Sequence, residues 1–154
     1  ASTDFGQNDE RMTGFEECSL QRNLTDQGRE EARAIGRAVA ALRIPVGQVL
    51  ASPFCRTMET ARLAFGRATA TVAVRGGPSS NEGDRYRELR GLLSAPVASG
   101  TNRVIASHGN PYQAVVGSPY LQEGEAAIIR PLGERGFAVV ARIRKNEWME
   151  LAPR

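Results

Sequence analysis

The segment Val104-Ile105-Ala106-Ser107-His108-Gly109-Asn110-Pro111 decides the fold of this 154-residue chain, and it holds the only histidine. Its apolar start is typical of a parallel strand that is covered on both faces. Asn110 and Pro111 favour a helix directly afterwards, with Asn110 as its capping residue. Because a helix start offers unpaired N–H groups and a positive dipole end, we expect an anion such as phosphate beside His108. The alternative is that His108 only packs or caps at the strand end.

A second predicted strand ends in a similar way. The apolar run Val49-Leu50-Ala51 leads into Ser52-Pro53-Phe54-Cys55-Arg56-Thr57. Ligands of open α/β sheets bind outside the carboxyl ends of the strands, so we expect both turns to face one crevice. Arg56 then supplies a fork for two phosphate oxygens, while His108 donates a hydrogen bond or acts as an acid or base. Taken alone, Arg56 is interpreted as a surface residue.

The remaining pattern alternates strands with helices. Residues 1–24 are polar and without periodicity, which predicts a long loop, and Arg75–Ser80 predicts a second, exposed loop. Helices are predicted from the N-cap Thr25 to Leu42, and over Arg56–Phe65, Asp84–Leu93 and Pro111–Val116. Strands are predicted over Gln48–Ala51, Thr69–Val74, Arg103–Ser107, Ala126–Arg130 and Phe137–Arg142, the last two forming a hairpin around Gly133 and Gly136.

This order of elements predicts an α/β fold over residues 1–154 as one domain. The expected architecture is a three-layer sandwich. A mostly parallel central sheet carries helices on both faces, and an antiparallel hairpin comes late in the chain. A chain of this length is large enough to bury a core without added staples.

The charge balance favours anionic ligands only slightly. Twenty Lys and Arg face 17 Asp and Glu, giving a net charge of +3, and Lys145 is the only lysine. No dense basic run with interleaved aromatic residues supports nucleic-acid binding. No apolar stretch approaches the roughly 20 residues of a membrane span. No Cys/His spacing indicates a metal site, so we expect no nucleic-acid partner, membrane, metal or cofactor.

Two cysteines, Cys18 and Cys55, leave two alternatives open. They either form a disulfide or remain two free buried thiols. A disulfide would imply an oxidising compartment, such as the periplasm for an exported protein, whereas free thiols suit the cytoplasm. The compartment therefore depends on the pairing.

Three blocks, in this order and spacing, resemble the histidine phosphatase superfamily, also called phosphoglycerate mutase-like. They are Arg22-Asn23-Leu24-Thr25-Asp26-Gln27-Gly28-Arg29, the block from Ser52 to Ala61, and Ser107-His108-Gly109-Asn110. The resemblance implies a phosphoglycerate mutase-like fold and a small phosphorylated substrate. It implies that Arg56 binds phosphate and that His108 is the second active-site histidine, which stabilises the phosphoryl group during transfer.

The superfamily's nucleophilic histidine belongs to an Arg-His-Gly motif that is not among these 154 residues. Ala1-Ser2-Thr3-Asp4 is similar to the residues that follow Arg-His in relatives with Arg-His-Ala-x-Thr-Asp. We therefore expect the nucleophile ahead of Ala1, and a chain that is N-terminally truncated and inactive as given. By the same resemblance, Thr3 and Arg22 are candidate substrate-binding residues.

Many relatives place a glutamate general acid in the loop after the third strand. Here the candidates are Glu82, Asp84 and Glu88, of which Glu82 is best placed. The predicted function of the full-length form is phosphomonoester hydrolysis through a phosphohistidine intermediate. The alternative is a binding module for phosphorylated ligands that never had the nucleophile. A mutase is less favoured, because no extended basic lid is found.

Overall fold

A computed structural model describes residues 1–76 and 84–151 of the chain. The helices are α1 (Asp26–Ala41), α2 (Cys55–Phe65), α3 (Arg87–Ser94), α4 (Gly109–Val116) and α5 (Trp148–Leu151). The strands are β1 (Val46–Ala51), β2 (Thr69–Ala70), β3 (Asn102–Ala106), β4 (Ala126–Pro131) and β5 (Phe137–Ile143). Short 3₁₀ turns lie at Cys18–Leu20, Val72–Val74 and Gly133–Arg135.

The strands form two sheets. β2, β1 and β3 lie side by side in that order and are all parallel, while β4 and β5 form an antiparallel hairpin. In the parallel sheet Ala51 is opposite both Ala70 and Ala106. The carboxyl ends of the three strands therefore lie at one edge, as the sequence predicts for an α/β sheet.

Helices cover both faces of the parallel sheet. On one face, Val49 and Ala51 of β1 pack with Ala61 of α2, and Val104 and Ala106 of β3 join this cluster. On the other face, Ile105 packs towards Leu89 of α3 and Val115 of α4. Successive residues of β3 thus contact opposite helix layers, as the two-residue period of a strand requires. The three-layer α/β prediction, with its late hairpin, is confirmed.

The two helices on the first face begin and pack as their sequences indicate. Thr25 Oγ1 accepts a hydrogen bond from Gly28 N at 2.9 Å, which confirms Thr25 as the N-cap of α1. α1 then packs closely on α2 at Gly36. A Cβ built there would lie 2.2 Å from the Ala64 carbonyl oxygen, so only glycine permits this approach. Gly66 ends α2 at a φ of 71°, a left-handed conformation that favours glycine.

Two predicted elements are shorter than expected. The predicted strand Thr69–Val74 pairs only at Thr69 and Ala70, because the Thr71 hydroxyl then accepts a hydrogen bond from Ala73 N and begins a 3₁₀ turn. The helix predicted from Asp84 begins at Arg87. The Asp84 carboxylate instead accepts a hydrogen bond from Tyr86 N, which favours a turn. Of the predicted loop Arg75–Ser80, residues 77–80 lie outside the described part.

The first 24 residues form a long loop that is tied to the start of α2. A disulfide joins Cys18 to Cys55, so the paired alternative for these cysteines is the one in the structure. Gln21, almost fully buried, strengthens the same link. Its amide donates to the Phe15 carbonyl at 2.9 Å and accepts from Cys55 N at 2.9 Å. The loop therefore has a fixed position beside the sheet edge.

Breaking this link should destabilise the fold. The double variant Cys18→Ser/Cys55→Ser reopens a loop of 37 residues in sequence separation, and loop-closure entropy predicts a loss of about 4 kcal/mol in unfolding free energy. Urea denaturation measures it. A reductant should lower the stability of the wild type and leave the variant unchanged. Equal stability of the two proteins would mean that the thiols are unpaired.

Candidate functional site

Two side chains meet where β1 and β3 end. Ser52 follows β1 and is held by a hydrogen bond from its backbone N–H to the Ala106 carbonyl at 2.9 Å. His108 follows β3, and its Nε2 lies 2.8 Å from Ser52 Oγ. Because the two strands end at the same level, the Ser52 and His108 side chains are in direct contact at the sheet edge.

The helix after β3 begins two residues earlier than expected. α4 starts at Gly109, so His108 is its N-cap residue and Asn110 is not. The Asn110 side chain instead accepts a hydrogen bond from the Tyr120 hydroxyl at 3.2 Å. Tyr120 also explains the glycine, because a Cβ at Gly109 would lie 2.1 Å from its ring. Pro111 lies in the first turn, as predicted.

Phe54 brings His108 and Arg56 to one place. The rings of Phe54 and His108 are 5.1 Å apart in an edge-on arrangement. The Arg56 guanidinium carbon lies 4.5 Å from the centre of the Phe54 ring, within the range of a cation–π contact. The histidine and the arginine that the sequence pairs are therefore neighbours of one aromatic side chain.

The Arg56 fork holds a carboxylate. Arg56 is buried, and its two terminal nitrogens donate to the two oxygens of Asp9 at 2.9 and 3.1 Å. One of them also donates to the Arg22 carbonyl at 3.1 Å. This bidentate arrangement is the geometry in which arginine also binds phosphate. Asp9 comes from the disulfide-anchored loop, and the sequence analysis did not identify it.

Arg22 lies beside the same carboxylate. Its backbone N–H donates to Asp9 Oδ1 at 2.9 Å, and its guanidinium carbon lies 4.8 Å from the centre of the Phe5 ring. Its Nε is buried and has no hydrogen-bond partner among the described residues. A buried donor without a partner costs free energy. Arg22, the predicted substrate-binding arginine, therefore has a hydrogen-bond donor near Arg56 that no described residue uses.

Burial and charge shift the titration of this cluster. Burial, and then the positive charge of Arg56, lower the pKa of His108 from 6.5 to about 3. The imidazole is therefore neutral near pH 7. Burial opposes ionisation of Asp9, but hydrogen bonds from Arg56 and from the Arg22 backbone outweigh it and lower the pKa of this carboxyl.

The chain segment before residue 77 packs against the histidine. A Cβ built on Gly76 would lie 3.5 Å from the His108 ring, an ordinary van der Waals contact. Arg85 holds this segment, because its guanidinium donates to the carbonyls of Arg75 at 2.8 Å and Gly76 at 3.3 Å. The candidate general acid Glu82 lies outside the described residues, so its role stays a prediction.

Thr3 lies in a different hydrogen-bond network. It forms an isolated bridge with Leu24, and its hydroxyl donates to Glu123 at 2.5 Å. It makes no hydrogen bond to Arg56 or His108. The structure therefore brings Arg56, His108 and Arg22 together but leaves Thr3 engaged elsewhere, and its predicted contact with substrate stays a prediction.

The sequence analysis did not identify Ser52 and Asp9 as site residues, and the sequence contained a signal for only one of them. Ser52 occupies the position after β1 that Ser107 occupies after β3, so the matching strand ends contained a signal for it. Asp9 lies in a polar loop without periodicity, and only the folded chain places it on Arg56.

In residues 1–76 and 84–151 no group of three or more His, Cys, Asp or Glu side chains is arranged to hold a metal ion. In the same residues no helix has the length and apolar character needed to cross a bilayer.

Comparison with known families supports two of the three motifs, the Arg22–Arg29 block and the Ser52–Ala61 block. The sequence profile described as the histidine phosphatase superfamily (branch 1) matches residues 6–77, which include Arg22 and Arg56. No curated protein matches the chain at a significant level. The profile match and the α/β architecture together confirm the predicted resemblance. This similarity assigns residues 6–77 to the histidine phosphatase superfamily.

Acid should destabilise the protein through His108. Between the unfolded pKa of 6.5 and the folded pKa of about 3, the unfolded chain binds a proton that the folded chain does not. The unfolding free energy should therefore fall as pH is lowered below 6.5. Chemical denaturation between pH 6.5 and about 5, above the range of most carboxyls, should show a smaller slope for His108→Gln. Identical slopes would contradict the buried, neutral imidazole, and above pH 7 the two slopes should agree.

Proposed function

We propose that this site binds the phosphate group of a small phosphorylated molecule. Arg56 holds two phosphate oxygens in its fork, and His108 donates a hydrogen bond to a third. The observation that carries the proposal is the meeting of this fork and the only histidine on Phe54, at the carboxyl edge of a parallel sheet. The similarity of residues 6–77 to a phosphatase-type superfamily supports the same ligand class.

The Asp9 carboxylate is the group with which a phosphate has to compete for Arg56. It already occupies the Arg56 fork as a bidentate anion, so a phosphate has to displace it or share the guanidinium. Arg22 lies beside this position, and its Nε has no hydrogen-bond partner in the part of the chain that the structure describes. When phosphate replaces Asp9, the second arginine offers a further charged donor, which compensates for the carboxylate that leaves.

The N-terminus of α4 adds donors on the same side. The backbone N–H groups of Gly109 and Asn110 have no acceptor among the described residues, as expected in the first turn of a helix. They follow His108 directly in the chain. An anion that contacts His108 would therefore also be attracted by the positive end of the α4 dipole.

The proposed reaction is phosphomonoester hydrolysis in two steps. A second imidazole attacks phosphorus, the bond to the ester oxygen breaks, and the leaving alkoxide takes a proton from an acid, for which Glu82 is the candidate. Water then cleaves the phosphohistidine. The 154 residues contain one histidine, so this reaction needs a second imidazole from outside them. His108 stabilises the transferred group from the other side while it stays neutral.

A binding module for phosphorylated ligands is the alternative, and it uses the same Arg56 and His108. The two functions differ only in whether a nucleophile is present. Binding without hydrolysis in every form of the protein would favour the module. Hydrolysis in a form with the Arg-His segment would favour the enzyme.

Phosphate affinity tests the role of Arg56. Arg56→Lys keeps the positive charge beside half-buried Asp9 but removes the bidentate fork, so the affinity for inorganic phosphate should fall by about tenfold or more. Isothermal titration calorimetry measures it. The matched control is Arg29→Lys, since Arg29 also pairs with carboxylates, those of Asp26 and Glu59 on α1 and α2. Equal losses in both variants would point to general electrostatics and remove Arg56 from the site.

Catalysis tests the role of His108. A form of the chain that carries an apolar strand ending in Arg-His ahead of Ala1 should hydrolyse a generic aryl phosphate. His108→Ala in that form should lower kcat/KM by about 10²-fold or more, because it removes a donor to the transferred group. Activity that survives the substitution unchanged would defeat the assignment of His108.

A further inference from the structure

Ser52 carries a buried hydroxyl that contacts the His108 ring. The residue is fully buried at the end of β1. Its backbone is held on both sides, by its own N–H on the Ala106 carbonyl and by the Thr57 hydroxyl, which donates to the Ser52 carbonyl at 2.8 Å. Within residues 1–76 and 84–151, the only hydrogen-bond partner of Ser52 Oγ is His108 Nε2, at 2.8 Å.

The hydrogens available in this contact decide its direction. A hydroxyl has one hydrogen, and a neutral imidazole has one N–H. If Nε2 carried the ring proton, it would donate to Oγ and leave the buried hydroxyl hydrogen without an acceptor, which is unfavourable. If the hydroxyl donates to the lone pair of Nε2, the buried hydroxyl is satisfied and the ring proton lies on Nδ1.

We propose that Ser52 is a positioning residue: its hydroxyl donates to His108 Nε2 and so holds the imidazole with its proton on Nδ1. No described residue hydrogen-bonds to Nδ1, so this N–H remains for a ligand. The ligand part of the inference rests on the proposed function, in which the recipient is a phosphate oxygen. The tautomer itself does not depend on that function.

This arrangement gives His108 a defined chemical role. Burial and the charge of Arg56 keep the ring neutral near pH 7, so it acts as an oriented N–H donor rather than as a cation. The direction of the Ser52 hydrogen bond selects which nitrogen donates. Ser52 is not placed to attack a substrate, because the residue is fully buried and its hydroxyl is engaged with the ring.

The single histidine makes the tautomer directly measurable. In protein labelled with ¹⁵N at the imidazole, the two ring nitrogens of His108 are the only such signals, and their chemical shifts and couplings to ring protons identify the protonated nitrogen. At pH 7 the wild type should show the proton on Nδ1. A spectrum with the proton on Nε2 overturns the proposal, whatever the variants do.

The Ser52→Ala variant tests whether this hydroxyl selects the tautomer. The population with the proton on Nδ1 should fall, because Nε2 has lost its donor. The matched control is Ser107→Ala. Ser107 is the residue next to His108, but its hydroxyl donates to the Val74 carbonyl at 2.5 Å and not to the ring. The control should keep the wild-type spectrum. An unchanged tautomer in folded Ser52→Ala, or equal changes in both variants, would refute the role of Ser52.

Phosphate binding separates this inference from the proposed function. Titration of the wild type with inorganic phosphate should perturb the Nδ1 signal, and Ser52→Ala should bind phosphate several-fold more weakly than Ser107→Ala. If the wild type has its proton on Nδ1 but phosphate binds without affecting that nitrogen, the ligand part of the proposal fails and the tautomer assignment stands. If phosphate does not bind at all, the proposed function fails instead.

Discussion

The parallel pairing of β1 with β3 is the constraint on which the site depends. Ala51 lies opposite Ala106, so the chain leaves both strands at the same level. Ser52 and His108 then meet by hydrogen bond, and Phe54 lies within contact of both His108 and Arg56. A shift of one residue in this register would send the side chains after one strand to the opposite face, and the cluster would not form.

The loop before α1 completes the site from outside the sheet. It is fastened by the disulfide and by Gln21 at the start of α2, next to Arg56 in the chain. This anchor holds Asp9 on the guanidinium. The buried arginine thus has a counter-charge, which it needs because an unpaired buried cation is costly. The same ion pair sets the condition for binding, since an anionic ligand has to compete with a carboxylate already in place.

Much of the fold could be predicted from local pattern. The Thr25 cap, the glycine end of α2, the apolar runs of β1 and β3 and the late hairpin are short-range signals, and each is present in the structure. Two elements are shorter than the sequence pattern predicts, and the reason is local. At Thr71 and Asp84 a side chain bonds to the backbone two residues on and favours a turn over the regular element. At α4 the close packing of Tyr120 on Gly109 accompanies a helix that starts two residues earlier than predicted.

For the site, the sequence by itself determined the chemical parts: one histidine and one arginine, each shortly after an apolar strand, in motifs that resemble those of the histidine phosphatase superfamily. Strand ends predict proximity because parallel strands share an edge. Only the tertiary structure decided the partners: Asp9 on Arg56, Ser52 on His108, and Thr3 on Glu123. These contacts join residues far apart in the chain, and their geometry follows from loop anchoring and burial, which no local pattern of residues records.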